Sequence, residues 1–128
     1  MKIQFTLTDL IEKAKKNIEL PQQILSLAAE QDKIKVVLSI NKIMPSVTVT
    51  LEFMSFDNGF LILQVDAGMF LNLLLPFVSK LRVVQKGLIT LSGKYIRIAA
   101  NELIKEKFND VEIISVSQTG DEFVVSLR

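Results

Sequence analysis

Apolar and polar side chains alternate along much of the chain, and in between the apolar spacing widens to that of a helix. Ile3, Phe5 and Leu7 alternate with Gln4, Thr6 and Thr8, the two-residue period of a strand. Asp9 is placed to cap a helix, with Glu12 three residues on as the second half of a capping pair. Leu10, Ile11, Ala14 and Ile18 form the apolar stripe of that helix. Pro21 starts a new element, and Gln22 to Glu30 reads as a short helix with proline in its first turn, or else as an extended segment. Ile34, Val36, Leu38 and Ile40 alternate as a strand that Pro45 ends. Val47, Val49, Leu51 and Phe53 give the clearest half-buried strand. Asp57-Asn58-Gly59 then predicts a hairpin turn, because Asn and Gly tolerate positive φ.

Phe60 to Val65 returns as the partner strand. Asp66 is placed to cap a helix from Ala67 to about Leu75, disturbed near its end by Pro76. Leu81 to Val84 and Leu88 to Leu91 read as a hairpin, and Ser92-Gly93-Lys94 turns into a strand over Tyr95 to Ala99. Asn101 caps a helix over Glu102 to Phe108, and Val111 to Ser117 pairs with Glu122 to Leu127. A strand, a capped helix and a hairpin thus recur over Phe5 to Ser39, Leu63 to Ser92 and Ile96 to Arg128. Ile114 to Arg128 aligns with Leu25 to Ser39 without gaps, matching Ser115 to Ser26, Asp121 to Asp32 and Leu127 to Leu38. Element order supports this repeat better than the few identities do. The expectation is one α+β domain over residues 1–128, with an antiparallel sheet of about seven to nine strands and two to four short helices packed on it.

Composition narrows the chemistry. The chain has no Cys and no His, which removes disulfides, Ser–His–Asp and Cys–His catalysis, and histidine-ligated zinc or iron. The acid pairs Glu30 with Asp32, Asp110 with Glu112, and Asp121 with Glu122 all fall beside predicted turns. Water there leaves no means of pushing two carboxyl pKa values apart. The glycines are scattered and build no phosphate cradle. No cofactor and no metal are expected, and an enzyme is the third reading only. A net charge of +1 gives no field that attracts nucleic acid. The greasiest run, AGMFLNLLLPFV over residues 67–78, is far shorter than the ~20 residues of a membrane span. With no leader-like segment at the N-terminus, a cytoplasmic location is expected.

Two features stand above background. Met69, Phe70, Leu73, Leu74 and Phe77 make a helix that is apolar on nearly every side, which a single sheet cannot cover. It calls for fold core, a second subunit, a protein partner, or a lipid-like ligand. The second feature is charge. Lys80, Arg82, Lys86, Lys94 and Arg97 fall in a stretch without acids, which would suit an anionic lipid surface.

The three helix starts at Asp9, Asp66 and Asn101, each followed by a hairpin, resemble the element rhythm of the tubular lipid-binding (TULIP-like) domains. The resemblance covers most of the chain and includes no signature motif. It implies an apolar groove for acyl chains. The leading expectation is a non-catalytic binding or assembly module acting through residues 69–78. A homo-oligomer or a protein partner is its expected object, with a lipid-like ligand next. Peripheral binding of anionic lipid through the 80–97 segment is the alternative. Phe70→Asp or Leu74→Asp should abolish folding or assembly, since a charge buried there costs several kcal/mol. A variant of unchanged fold, size and binding, measured by circular dichroism and native mass spectrometry, would refute this.

Overall fold

A computed structural model of the chain describes residues 1–17, 20, 22–39, 42–43, 46–68, 71, 86–106 and 108–128. The elements run β1 (Lys2–Thr6), α1 (Leu7–Asn17), β2 (Ile24–Glu30), β3 (Lys33–Leu38), β4 (Val47–Asp57), β5 (Phe60–Asp66), β6 (Ile89–Ser92), β7 (Tyr95–Ala99), α2 (Ala100–Lys105), β8 (Ile113–Thr119) and β9 (Glu122–Leu127). The architecture is mixed α and β, and all strand pairing is antiparallel. The strands do not form one sheet, as expected from the sequence. They divide into a six-stranded sheet of order β2-β3-β4-β5-β7-β6 and a three-stranded sheet of order β1-β9-β8.

Strand alternation sets the inner faces. In the larger sheet Ile34 pairs with Leu51, Val36 with Val49, Leu38 with Val47, and Leu63 with Ile96, so one face is continuously aliphatic. The opposite face carries the ion pairs Lys33–Glu52 (3.8 Å) and Lys35–Glu30 (3.7 Å). In the smaller sheet Phe5 pairs with Phe123 and Val116 with Val125, giving a second apolar face. One core cluster gathers Val36, Leu38, Val47, Val49, Val65 and Ala67. The other gathers Leu7, Ile11 and Phe123, with Phe5, Phe53 and Val116 packed around them.

Several local expectations are corrected. Residues 22–30 form no helix; Ile24–Glu30 is β2. Its register shifts between Ile24 and Ser26, a bulge that turns Leu25 and Ser26 outward in succession. The inward positions Ile24 and Leu27 are therefore three apart, which imitates helical spacing. Helix α1 is capped by Thr6, whose Oγ1 accepts from the Asp9 N–H at 3.1 Å, so Asp9 lies in the first turn instead of at the cap. Its buried stripe starts at Leu7 and continues through Ile11, while Leu10 is exposed. Asn101 caps nothing. It lies inside α2 and holds the start of β8, accepting from the Ile113 N–H at 2.8 Å and donating to the Ile113 carbonyl at 3.3 Å. Asp66 does accept from the Gly68 N–H at 3.1 Å. Most of the helix expected after it, and the strand at 81–84, lie outside the described residues.

The repeat is visible in the fold. The order β-α-β-β occurs in β1-α1-β2-β3 and again in β7-α2-β8-β9. The hairpins β2-β3 and β8-β9 share more than order. Their registers match position for position, Ile24↔Leu38 against Ile113↔Leu127, and both bulge one residue after their start. Both turns place their first residue at positive φ, 59° at Gln31 and 61° at Gly120. Equivalent backbone bonds close them, Ser39 N–H to Gln23 O and Arg128 N–H to Glu112 O, each 2.8 Å. Val36 and Val125 are a further matching pair in the alignment. The expected middle unit, Leu63 to Ser92, lies largely outside the described residues.

Each helix start is tied to a hairpin turn. The Leu7 N–H donates to Asp121 O at 2.8 Å, and the Asn101 N–H to Gly59 O at 3.3 Å. In the β4-β5 turn Asn58 and Gly59 sit at φ 51° and 85°, and a Cβ on Gly59 would stand 3.0 Å from Asn101 Nδ2. Around Gly120 nothing lies within 4 Å of such a carbon. Gly120→Ala therefore costs only left-handed backbone strain, about 1–2 kcal/mol. Gly59→Ala should cost measurably more, because it also displaces Asn101 from β8. Urea unfolding midpoints of the two variants check the order.

Candidate functional site

The inner faces of the two sheets do not fill the space between them. A cavity of about 200 Å³ remains where they face each other. The six-stranded sheet contributes Ile34, Leu51, Phe53, Phe56, Leu61 and Leu63, and the three-stranded sheet Phe5, Ile113, Val116, Phe123 and Val125. Leu7 and Leu10 of α1 and Ala100 of α2 close the sides. Rings set the gap: Phe123 stacks on Phe5 with centroids 5.7 Å apart and meets Phe53 edge-on at 5.7 Å and 81°. Three rings locked in these orientations hold the sheets at a fixed separation.

Two neighbouring depressions share lining residues with the cavity. On one side Phe5, Ile113 and Val125 are shared with an apolar groove of about 390 Å³, bounded further by Met1, Ile3, Ile104, Phe108, Val111 and Leu127. Met1, Ile3 and Phe108 are exposed along it, as is Leu10 on α1. Among the described residues Asp32 is the one polar residue of the cavity lining. Asp32 is shared with an open polar cleft between the β2-β3 and β8-β9 turns, which also contains Thr8, Gln31, Gly120 and Asp121. Gln118 spans the two turns there, its Nε2 donating to Asp32 O and Gly120 O, both at 2.9 Å.

The described residues provide no catalytic constellation. None of their polar or charged residues is buried. No group of three or more Asp and Glu stands together to hold a metal ion. One exposed pair perturbs its own titration: Arg128 Nη2 donates to Glu112 Oε2 at 2.8 Å, which holds that carboxyl below its usual range and raises the guanidinium in turn. It fastens the open end of the β8-β9 hairpin and lies outside the cavity lining.

The sequence-derived candidates are distributed differently from the cavity. Met69, Phe70, Leu73, Leu74 and Phe77 lie outside the described residues, as do Lys80 and Arg82; Leu71 packs on the first core cluster. Lys86 precedes β6 and Lys94 follows it, so they stand at opposite ends of that strand. Arg97 lies on the outer face of β7 with its guanidinium 3.9 Å from the Phe60 ring centroid. The residues that line the cavity appear in the sequence as ordinary inward strand positions. Their one distinguishing signal is that four of the eight phenylalanines (Phe5, Phe53, Phe56 and Phe123) occupy such positions.

No protein-family model matches this sequence, and neither a curated protein nor a solved structure matches it at a significant level. No helix among the described residues is long and apolar enough to cross a membrane. Because Phe123 joins the two sheets, Phe123→Ala should cost about 3–5 kcal/mol. Phe108→Ala, on the exposed rim, should stay within about 0.5 kcal/mol of the parent. Chemical denaturation of both variants measures the contrast.

Proposed function

We propose that the protein is a non-catalytic binding module that takes an apolar, chain-like ligand between its two sheets. The observation that carries this is the cavity, lined among the described residues by aliphatic and aromatic side chains with Asp32 as the polar exception, and sharing Phe5, Ile113 and Val125 with a neighbouring apolar groove. An engineered apolar cavity of about 150 Å³ accepts benzene, so a cavity of this volume and lining is large enough for part of a hydrocarbon chain. Cavity and groove together fall within the roughly 300–1,000 Å³ typical of ligand pockets. At family level the corresponding reading is the tubular lipid-binding resemblance, which rests on element order alone.

A subunit interface is the second reading, favoured by one observation: Met1, Ile3 and Phe108 expose apolar surface along the groove. Peripheral binding to anionic lipid through Lys80, Arg82, Lys86, Lys94 and Arg97 stays an alternative, with Lys80 and Arg82 outside the described residues.

Native mass spectrometry of the purified protein separates the first two readings. A monomer carrying a lipid-sized mass is the result expected. A bare homo-oligomer would assign the apolar rim to a subunit contact and overturn the ligand reading. A bare monomer is then titrated with Nile red, a neutral apolar dye. The dye should bind, and Val116→Phe, which fills the cavity from β8, should weaken it several-fold while circular dichroism stays unchanged. Dye binding indifferent to that substitution would refute cavity occupancy.

A further inference from the structure

The internal repeat puts β1 and β7 in equivalent places, each opening a β-α-β-β unit. β7 is paired on both edges, with β5 and with β6. β1 is paired with β9 alone and ends its sheet. Backbone directions identify the unused edge of β1 with the edge of β7 that β6 occupies. In β7 the Lys94 carbonyl accepts from the Val65 N–H of β5 at 2.6 Å, and the Ala99 N–H donates to Leu88 O, next to β6, at 2.8 Å. Alternation therefore turns the inward residues Ile96 and Ile98 toward β5, and Tyr95, Arg97 and Ala99 toward β6. In β1 the Met1 carbonyl and the Leu7 N–H both bond on the β9 side, each at 2.8 Å. Inward Ile3 and Phe5 share that direction. The backbone groups of Lys2 and Gln4 point to the open edge, where no partner stands among the described residues.

β6 shows what such an edge takes. Ile89 and Leu91 stand opposite Ile98 and Ile96, Thr90 opposite Arg97, and Ser92 opposite Tyr95. The same register on β1 sets apolar residues against Phe5 and Ile3, a polar one against Gln4, and the last against Lys2. Phe5 and Ile3 line the apolar groove, and Ile3 is 44% exposed there. Lys2 stands opposite Ser126 of β9 and joins no ion pair among the described residues.

We infer that β1 is a docking edge for an extended segment of a partner protein, which adds to the three-stranded sheet as an antiparallel fourth strand. The segment alternates apolar with polar residues and sets an acidic residue against Lys2. In strand addition the main chain supplies affinity and alternate side chains supply specificity. A second copy of the chain fits less well. β1, KIQFT, has no acid to set against Lys2, and lysine on an edge strand works against self-pairing. The inference does not depend on a ligand between the sheets.

Fluorescence anisotropy with a dye-labelled synthetic peptide, Ser-Thr-Ile-Thr-Val-Glu-Ser, tests it on the full chain. The peptide should bind saturably. Methylating the backbone nitrogens of its second threonine and its glutamate, which face Gln4 and Lys2, should abolish binding. Lysine in place of the glutamate should weaken binding about five-fold, the difference between opposite and like charges across a strand pair. Lys2→Glu should reverse that preference. Gln4→Pro removes an N–H that points away from β9, so the β1-β9 ladder stays and binding is lost. The methylated peptide decides the point on the unaltered protein, whatever Gln4→Pro does to folding. Binding that survives methylation overturns strand addition, and so does failure of the parent peptide to bind a protein that circular dichroism shows folded. A glutamate preference unchanged by Lys2→Glu overturns the acidic partner. A dimer in sedimentation that Gln4→Pro dissociates assigns the edge to a second copy and overturns the inference.

Discussion

Phe123 is where the two sheets meet. It stacks on Phe5 across the strand pair β1-β9 and meets Phe53 of the larger sheet edge-on. The larger sheet has a continuous aliphatic face, and a face of that size has to be covered from water. Three strands and an eleven-residue helix provide cover at this end, and Phe123 anchors them, with Leu7 and Ile11 buried beside it. Large planar rings fill such a junction in only a few orientations. The space they leave, bounded by Ile34, Leu51, Leu61 and Leu63, is the cavity. The constraint that fixes the sheet separation is therefore also the source of the unfilled volume.

The equivalent hairpins explain how so small a smaller sheet is held in place. A bulged hairpin twists more strongly than a regular one, and its tip projects away from its own sheet. Here the tips of β2-β3 and β8-β9 are brought together, and Gln118 bridges them. The tip of β8-β9 also receives the first N–H of α1, at Asp121, while the β4-β5 turn receives the Asn101 N–H of α2. Each helix start thus satisfies one of its orphan donors on a turn distant in sequence. Short helices with weak caps gain position in this way; the N-cap residue of α2, Ala99, makes no side-chain cap bond.

The strands were legible wherever the two-residue period ran unbroken. Val47 to Phe53 and the Asn58-Gly59 turn were readable because alternation and positive-φ residues are local signals. Residues 24–30 were not, because the bulge at Leu25-Ser26 displaces the pattern by one residue and a three-residue spacing reads as helix. The same bulge recurs at Ile114-Ser115, inside the run Val111 to Ser117 that the sequence reads as a strand. Caps were misassigned by one turn at α1, since Thr6 and Asp9 are both good capping residues and only the fold decides between them. The cavity was not legible. Phe5, Phe53 and Phe123 are spread across the chain, and only the pairing of β1 with β9 and the facing of the two sheets bring them together. The sequence drew attention to the greasiest continuous run instead, because density of apolar residues along the chain is visible and convergence of distant ones is not.

That difference bears on what an apolar excess means in a small domain. A dense apolar helix signals that something must cover it, without saying what. An interior volume bounded by inward strand positions is more specific, since its shape and the polarity of its lining are both fixed by the fold. Filling it from within would take larger side chains at several inward positions, Val116, Leu61 and Leu63 among them. Leaving it empty forgoes dispersion contacts along the whole lining. Folding stability gains nothing from that unfilled volume, and a hydrocarbon that packs against the lining would restore the contacts the fold forgoes.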